Sequence, residues 1–149
     1  MRNSKRNVSA ACQRGFTLIE LMVVMIILGL LAALVVPKMF GKLETAKTNA
    51  AYAQIELFGT ALDSYRLDVG KYPSSSEGLE SLISPVSGAE EWNGPYLRKN
   101  EIPLDPWGNP YIYESPGTHG DYDLYSLGAD NSEGGEGEDR DVVSWKGLK

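Results

Sequence analysis

The chain has 149 residues, with 20 acidic side chains against 14 Lys and Arg and a formal net charge of −6, enough for one domain plus one spanning helix. Four of the bases (Arg2, Lys5, Arg6, Arg14) fall in the first 15 residues with no acid among them, so the remainder holds ten bases against 20 acids, about −10. That sign argues against nucleic acid as a partner, since such binding runs on phosphate neutralisation. The one cysteine, Cys12, leaves everything beyond residue 15 without a disulfide or thiol chemistry.

Phe16 to Val36 reads FTLIELMVVMIILGLLAALVV, with Glu20 as its one charge. Such a run spans ~30 Å of hydrocarbon at about 1.5 Å per residue. Bases before it and acids after it place residues 1–15 in the cytoplasm and 37–149 across the membrane. A secretory signal peptide would carry a small-x-small site after its apolar run; here a glycine, Gly15, stands before it. Glu20 costs several kcal/mol inside lipid unless paired, which marks it as functional. Cleavage after Gly15 would make Phe16 the new N-terminus and supply an amine for Glu20. That amine would lie one turn away in the same helix, or on a neighbouring subunit, where only one axial offset pairs the charges.

The stretch Gly15-Phe16-Thr17-Leu18-Ile19-Glu20 resembles the class III signal of type IV pilins and pseudopilins. The resemblance implies that a membrane-embedded prepilin peptidase cuts after Gly15 and N-methylates Phe16, and that Glu20 serves assembly. The chain then divides into a leader, 1–15, an assembly and transmembrane helix, 16–36, and a periplasmic head, 37–149.

Pro37 removes a helical hydrogen bond and predicts a kink or local melting. Leu43 to Asp68 is nevertheless rich in helix formers. Ile55, Phe58, Leu62, Tyr65 and Val69 step by three and four, which predicts an amphipathic helix over about 43–69 with one buried stripe, stopped by Gly70. Beyond it come a turn at Lys71-Tyr72-Pro73, a short helix over Glu77–Ile83, and a loop from Ser84 to Gly94. Strands are expected around Tyr111-Ile112-Tyr113 and over Tyr122–Ser126. This order predicts an α+β fold, a long N-terminal helix packed on a small antiparallel sheet.

Lys71-Tyr72-Pro73 with Gly78-Leu79, then Asp105-Pro106-Trp107-Gly108-Asn109-Pro110-Tyr111, then Tyr122 to Asp130, resemble the major pseudopilins of type II secretion systems. The likeness covers nearly the whole chain. Pilins of adhesive filaments usually close a C-terminal loop with a disulfide, and no cysteine pair exists here.

The segment from Asp130 to Asp141 packs acids among glycines. It is either a solvated, floppy loop or one ordered around a hard cation with oxygen ligands. An EF-hand is rejected, because Ser132 and Gly134 stand at its third and fifth positions. The resemblance implies one calcium ion, held by Asp130 and Asp141, with Asp139 as third carboxylate (Glu138 the alternative) and backbone carbonyls of Leu127 and Glu133. Trp145 is expected to anchor the end of the loop.

His119, the one histidine, sits in a turn without a nucleophile in a recognisable arrangement, and no phosphate loop or histidine cluster is present. The chain reads as a structural protein and not an enzyme. By resemblance it is the major subunit of a secretion pseudopilus, a homopolymer that works with minor pseudopilins, an inner-membrane assembly platform and a secretion ATPase. A surface pilin, or a membrane-anchored calcium-binding protein that does not polymerise, are the alternatives. Asp63 on the helix is expected to meet Arg98 or Lys99 of a neighbouring subunit.

Overall fold

The computed structural model describes residues 15–147, with backbone alone for 36–40. The basic leader before Gly15, with Cys12, lies outside the described residues. In chain order the elements are helix α1 (Leu18–Val69), a 3-10 turn at Leu79–Leu82, strands β1 (Ile112–Glu114) and β2 (Asp123–Ser126), a 3-10 turn at Gly137–Asp139, and strand β3 (Val142–Val143). The chain divides into two compact units after Phe40.

In the first unit, α1 begins at Leu18 because Thr17 caps it. The Glu20 N–H donates to Thr17 Oγ1 at 3.3 Å and the Leu21 N–H to the Thr17 carbonyl at 3.2 Å. Phe16 therefore precedes the helix and is 84% exposed. In the uncleaved chain the helix therefore starts between Phe16 and Glu20. Leu18–Val35 has a mean hydropathy of 2.9 and none of it is buried. Pro37 does not end the helix.

In the second unit, Phe58, Leu62 and Tyr65 are fully buried and Ile55 nearly so, with Ala51 and Ala61 filling the gaps between them. This is the stripe that the spacing of three and four predicts. Burying each large side chain stabilises the fold by roughly 1.5–3 kcal/mol. Gly70, at φ +85°, ends the helix, its N–H donating to the Arg66 carbonyl at 2.8 Å.

The sheet is antiparallel in the order β1-β2-β3, with Tyr113 opposite Leu124 and Ser126 opposite Val142. Tyr113, Leu124 and Val142 turn inward and join the helix stripe in one core. β1 and β2 each begin one residue later than expected. The helix expected over Glu77–Ile83 shrinks to one 3-10 turn, because Gly78 at φ +61° cannot carry helical backbone into it. Gly59 lets Tyr122 come close to α1: a Cβ there would lie 3.1 Å from the Tyr122 hydroxyl.

Candidate functional site

The acidic loop leaves β2 through a bracket built from Asp105 to Asn109. A buried Asp ahead of Pro-Trp-Gly turns the chain by accepting its own backbone. Asp105 Oδ1 takes the Trp107 and Asn109 N–H groups at 3.0 and 2.8 Å, and its own N–H donates to the Asn109 carbonyl at 2.8 Å. Asp105 Oδ2 accepts the Ser126 hydroxyl, and Ser126 Oγ in turn accepts the Gly128 N–H at 3.2 Å. Asn109 Nδ2 donates to the Gly128 carbonyl at 2.8 Å. Both ends of the Gly128 residue are thus held by side chains at the point where the loop begins.

The loop is folded on itself. Gly128 and Gly135 adopt φ +69° and +86°, and a Cβ on either would lie 2.6–2.9 Å from backbone of Glu138 or Asp139. The glycines are therefore what lets the loop pack on itself. The Ala129 N–H donates to the Glu138 carbonyl at 2.9 Å, and Lys47 on α1 meets Glu138 at 3.5 Å.

Between this loop and the outer face of the sheet lies a cavity of about 290 Å³, lined among others by Leu127, Glu133, Asp141, Glu114, His119 and Trp145. Asp141 Oδ2 accepts the Gly134 N–H at 2.9 Å, while Asp141 Oδ1 is buried with no partner among the described residues. A buried carboxylate oxygen without a donor is costly, and a hard cation is a group that could satisfy it. Of the residues expected to hold such an ion, Leu127, Glu133 and Asp141 come together on this cavity. Asp130 and Asp139 do not line it. Asp130 Oδ1 accepts the Ser132 N–H at 3.1 Å, Asp139 is exposed, and Glu138 is occupied by Lys47. Among the described residues, no three His, Cys, Asp or Glu groups converge as a metal cluster.

His119 and Trp145 close one side of the cavity, their rings stacked at 4.0 Å. His119 Nδ1 lies 2.9 Å from Asp123 Oδ2, and the Thr118 and His119 N–H groups donate to the same carboxylate at 2.9 and 3.1 Å. Burial pushes the Asp123 carboxyl up, but the His119 ring and these N–H groups outweigh it and hold it below the usual carboxylate range. Trp145 anchors the segment after β3, as expected, through an aromatic stack on His119 and an edge contact with Tyr125.

Of the residues expected to serve cleavage and assembly, Gly15, Phe16 and Glu20 are all exposed. Asp63, Arg98 and Lys99 are exposed as well, so they are available to a neighbour. Two of them already have partners in this chain: Asp63 Oδ1 accepts the Tyr72 hydroxyl at 2.8 Å, and Lys99 lies 3.9 Å from Glu101. Thr17, Asp105, Asn109, Asp123 and Ser126 stand in the motifs that carry the resemblance, but their hydrogen-bonding roles come from the fold. The Thr-x-x-Glu spacing at Thr17 and Glu20, and an Asp before Pro-x-Gly, were the signals that point to the first two.

The model for type II secretion system protein G matches residues 38–145, and that for the prokaryotic N-terminal methylation motif matches residues 11–36. The type II secretion system core protein G of Pseudomonas aeruginosa is 51% identical over 137 residues, covering 89% of this chain and 95% of its own length. The Vibrio cholerae core protein G is 46% identical, covering 89% and 92%. The crystal structure of the major pseudopilin from the type 2 secretion system of enterohaemorrhagic Escherichia coli superposes with a TM-score of 0.58 at 32% identity, covering 70% of this chain and 91% of that one.

Proposed function

Since the chain belongs to the type II secretion system protein G family, we infer that its work is structural: it is the subunit from which the secretion pseudopilus is built. One observation carries this. A single chain joins the methylation motif over residues 11–36 to a protein G head over residues 38–145. The apolar helix Leu18–Val35 anchors it in a membrane.

The finer reading follows from the residues. Prepilin peptidase cuts after Gly15 and methylates Phe16, and the freed amine of Phe16 pairs with Glu20. Thr17 already fixes where the helix starts, and removal of the leader leaves two residues ahead of that start, so the new amine lies close to Glu20. The basic leader places the N-terminus in the cytoplasm, the helix in the inner membrane and the head in the periplasm. There the chain polymerises with itself and with minor pseudopilins, on an inner-membrane platform powered by a secretion ATPase, to drive folded proteins across the outer membrane. Asp63 of one subunit meets Arg98 or Lys99 of another.

Calcium belongs to this reading. Asp141 and Glu133, with a carbonyl of Leu127, would hold it, and Asp141 Oδ1, buried without a partner among the described residues, supports the assignment. The ion would neutralise the carboxylates and tie the loop to the sheet. The test is complementation of a strain lacking its own protein G. Restored export of an outer-membrane-crossing enzyme supports the reading, and processed, membrane-inserted protein without export would overturn it.

A further inference from the structure

Followed towards its N-terminal end, the buried stripe of α1 changes character. Ile55 and Ala51 are buried and apolar, but the next positions on that face, Thr48, Lys47 and Glu44, are polar and half-buried. The acidic loop lies against two of them. Among the described residues from Ala129 to Arg140, Glu138 alone is not exposed, and its carboxylate meets Lys47 Nζ at 3.5 Å. Beside it Gly137, at φ +65°, comes so close to α1 that an added Cβ would stand 3.2 Å from the Glu44 carboxylate.

Glu138 is also a junction within the loop. Its carbonyl accepts the Ala129 N–H at 2.9 Å, which ties the returning limb to the outgoing one. Three residues further on, Asp141 accepts the Gly134 N–H at 2.9 Å. Glu133 and Asp141, the carboxylates assigned above to calcium, thus stand on opposite limbs of the loop. They share the cavity only while the returning limb keeps its place, and as like charges they repel one another. A site whose ligands are already in place binds more tightly than one that must first order them.

We propose that Lys47 is a positioning residue for the calcium site: by holding Glu138 against α1 it fixes the returning limb and so brings Asp141 to Glu133. The same contact keeps Glu138 off the cavity, whose lining it does not join. This inference rests on the calcium reading of that cavity. Position and field predict opposite signs. Lys47 is a positive charge near a cation site, so by field alone its loss would tighten calcium binding. As a positioning residue, its loss loosens binding.

The test is calcium titration of the full chain in detergent micelles by calorimetry, with unfolding midpoints taken in calcium and in chelator. Lys47→Glu turns attraction into repulsion and is expected to raise the Kd about fivefold, the range of a half-exposed ion pair, while Lys47→Arg stays within about twofold. Exchanging the charges, Lys47→Glu with Glu138→Lys, keeps the net charge and should bring the Kd back. The midpoint of Lys47→Glu should fall further in calcium than in chelator. An unchanged or lower Kd in Lys47→Glu would overturn the proposal. So would an exchange that leaves the Kd raised, or equal falls of the midpoint, which report a merely structural pair. An unsubstituted chain that binds no calcium brings down the calcium reading and this inference with it; binding by that chain with no rise of Kd in Lys47→Glu brings down the inference alone.

Discussion

The imidazole of His119 lies flat on Trp145, with ring centres 4.0 Å apart and planes 3° from parallel. His119 belongs to the turn between β1 and β2, and Trp145 follows β3. The stack therefore clips the segment after the acidic loop to the hairpin before it, across the cavity that holds Asp141 and Glu133. Trp145 is also a spectroscopic reporter for whatever fills that cavity.

Adding calcium is expected to raise the unfolding midpoint of the head and to shift Trp145 emission together with it. A ligand at a hundredfold excess over its Kd stabilises by about 2.7 kcal/mol, a shift on the order of 10 °C for a domain of this size. Asp141→Asn should remove most of that shift. Equal midpoints in calcium and in chelator would dismiss the ion.

Asp105→Ala is expected to destabilise the head by about 3 kcal/mol, measured by denaturant unfolding. It strands the buried Ser126 hydroxyl and the N–H groups of Trp107 and Asn109. Because the bracket holds Gly128, the same change should weaken calcium binding although Asp105 is outside the cavity. Unaltered affinity in a folded variant would separate bracket from loop.

Gly59→Ala places a methyl 3.1 Å from the Tyr122 hydroxyl. Tyr122 is held between Tyr72 and Tyr113 and has little room to yield. The single change should cost about 1 kcal/mol despite the better helix propensity of alanine. In a Tyr122→Phe background the hydroxyl is gone, and the same change should become neutral or stabilising. Additivity of the two changes would show that the contact does not matter.

Stability should fall at both pH extremes for identifiable reasons. The Asp123 carboxyl is depressed in the folded chain, so its contribution is complete above the ordinary value of about 4 and is lost as pH falls through the lower folded value. Asp123→Asn should flatten that acid limb. Burial pushes the Tyr113 and Tyr122 hydroxyls up to about 12, so their contribution holds below about pH 10 and is lost as pH rises through 12. Urea midpoints across pH 3–12 check both limbs.

Glu20→Gln should leave leader cleavage and membrane insertion intact while filament yield drops at least tenfold, because the amine of Phe16 loses its counter-charge. Processed chain and sheared filament can be quantified in the same cells. Wild-type filament yield would place Glu20 outside assembly.

The chain's local instructions are readable because they act over short separations. The apolar run, the charge imbalance around it, Gly15, Glu20 and the buried stripe from Ile55 to Tyr65 are legible from periodicity and composition, and the fold buries that stripe and carries the run as one exposed helix. The sequence alone also marked the acidic loop as one needing either water or a cation. Tertiary structure decided which carboxylates share a cavity, because Glu133 and Asp141 sit on a chain that doubles back over Gly128 and Gly135, and sequence distance says nothing about that return. It likewise decided the roles of Asp105, Asn109 and Ser126, whose hydrogen bonds join segments about 20 residues apart. Patterns of three and four residues report which face of a helix is apolar; only packing across the whole head determines which polar groups lose their water and must find one another.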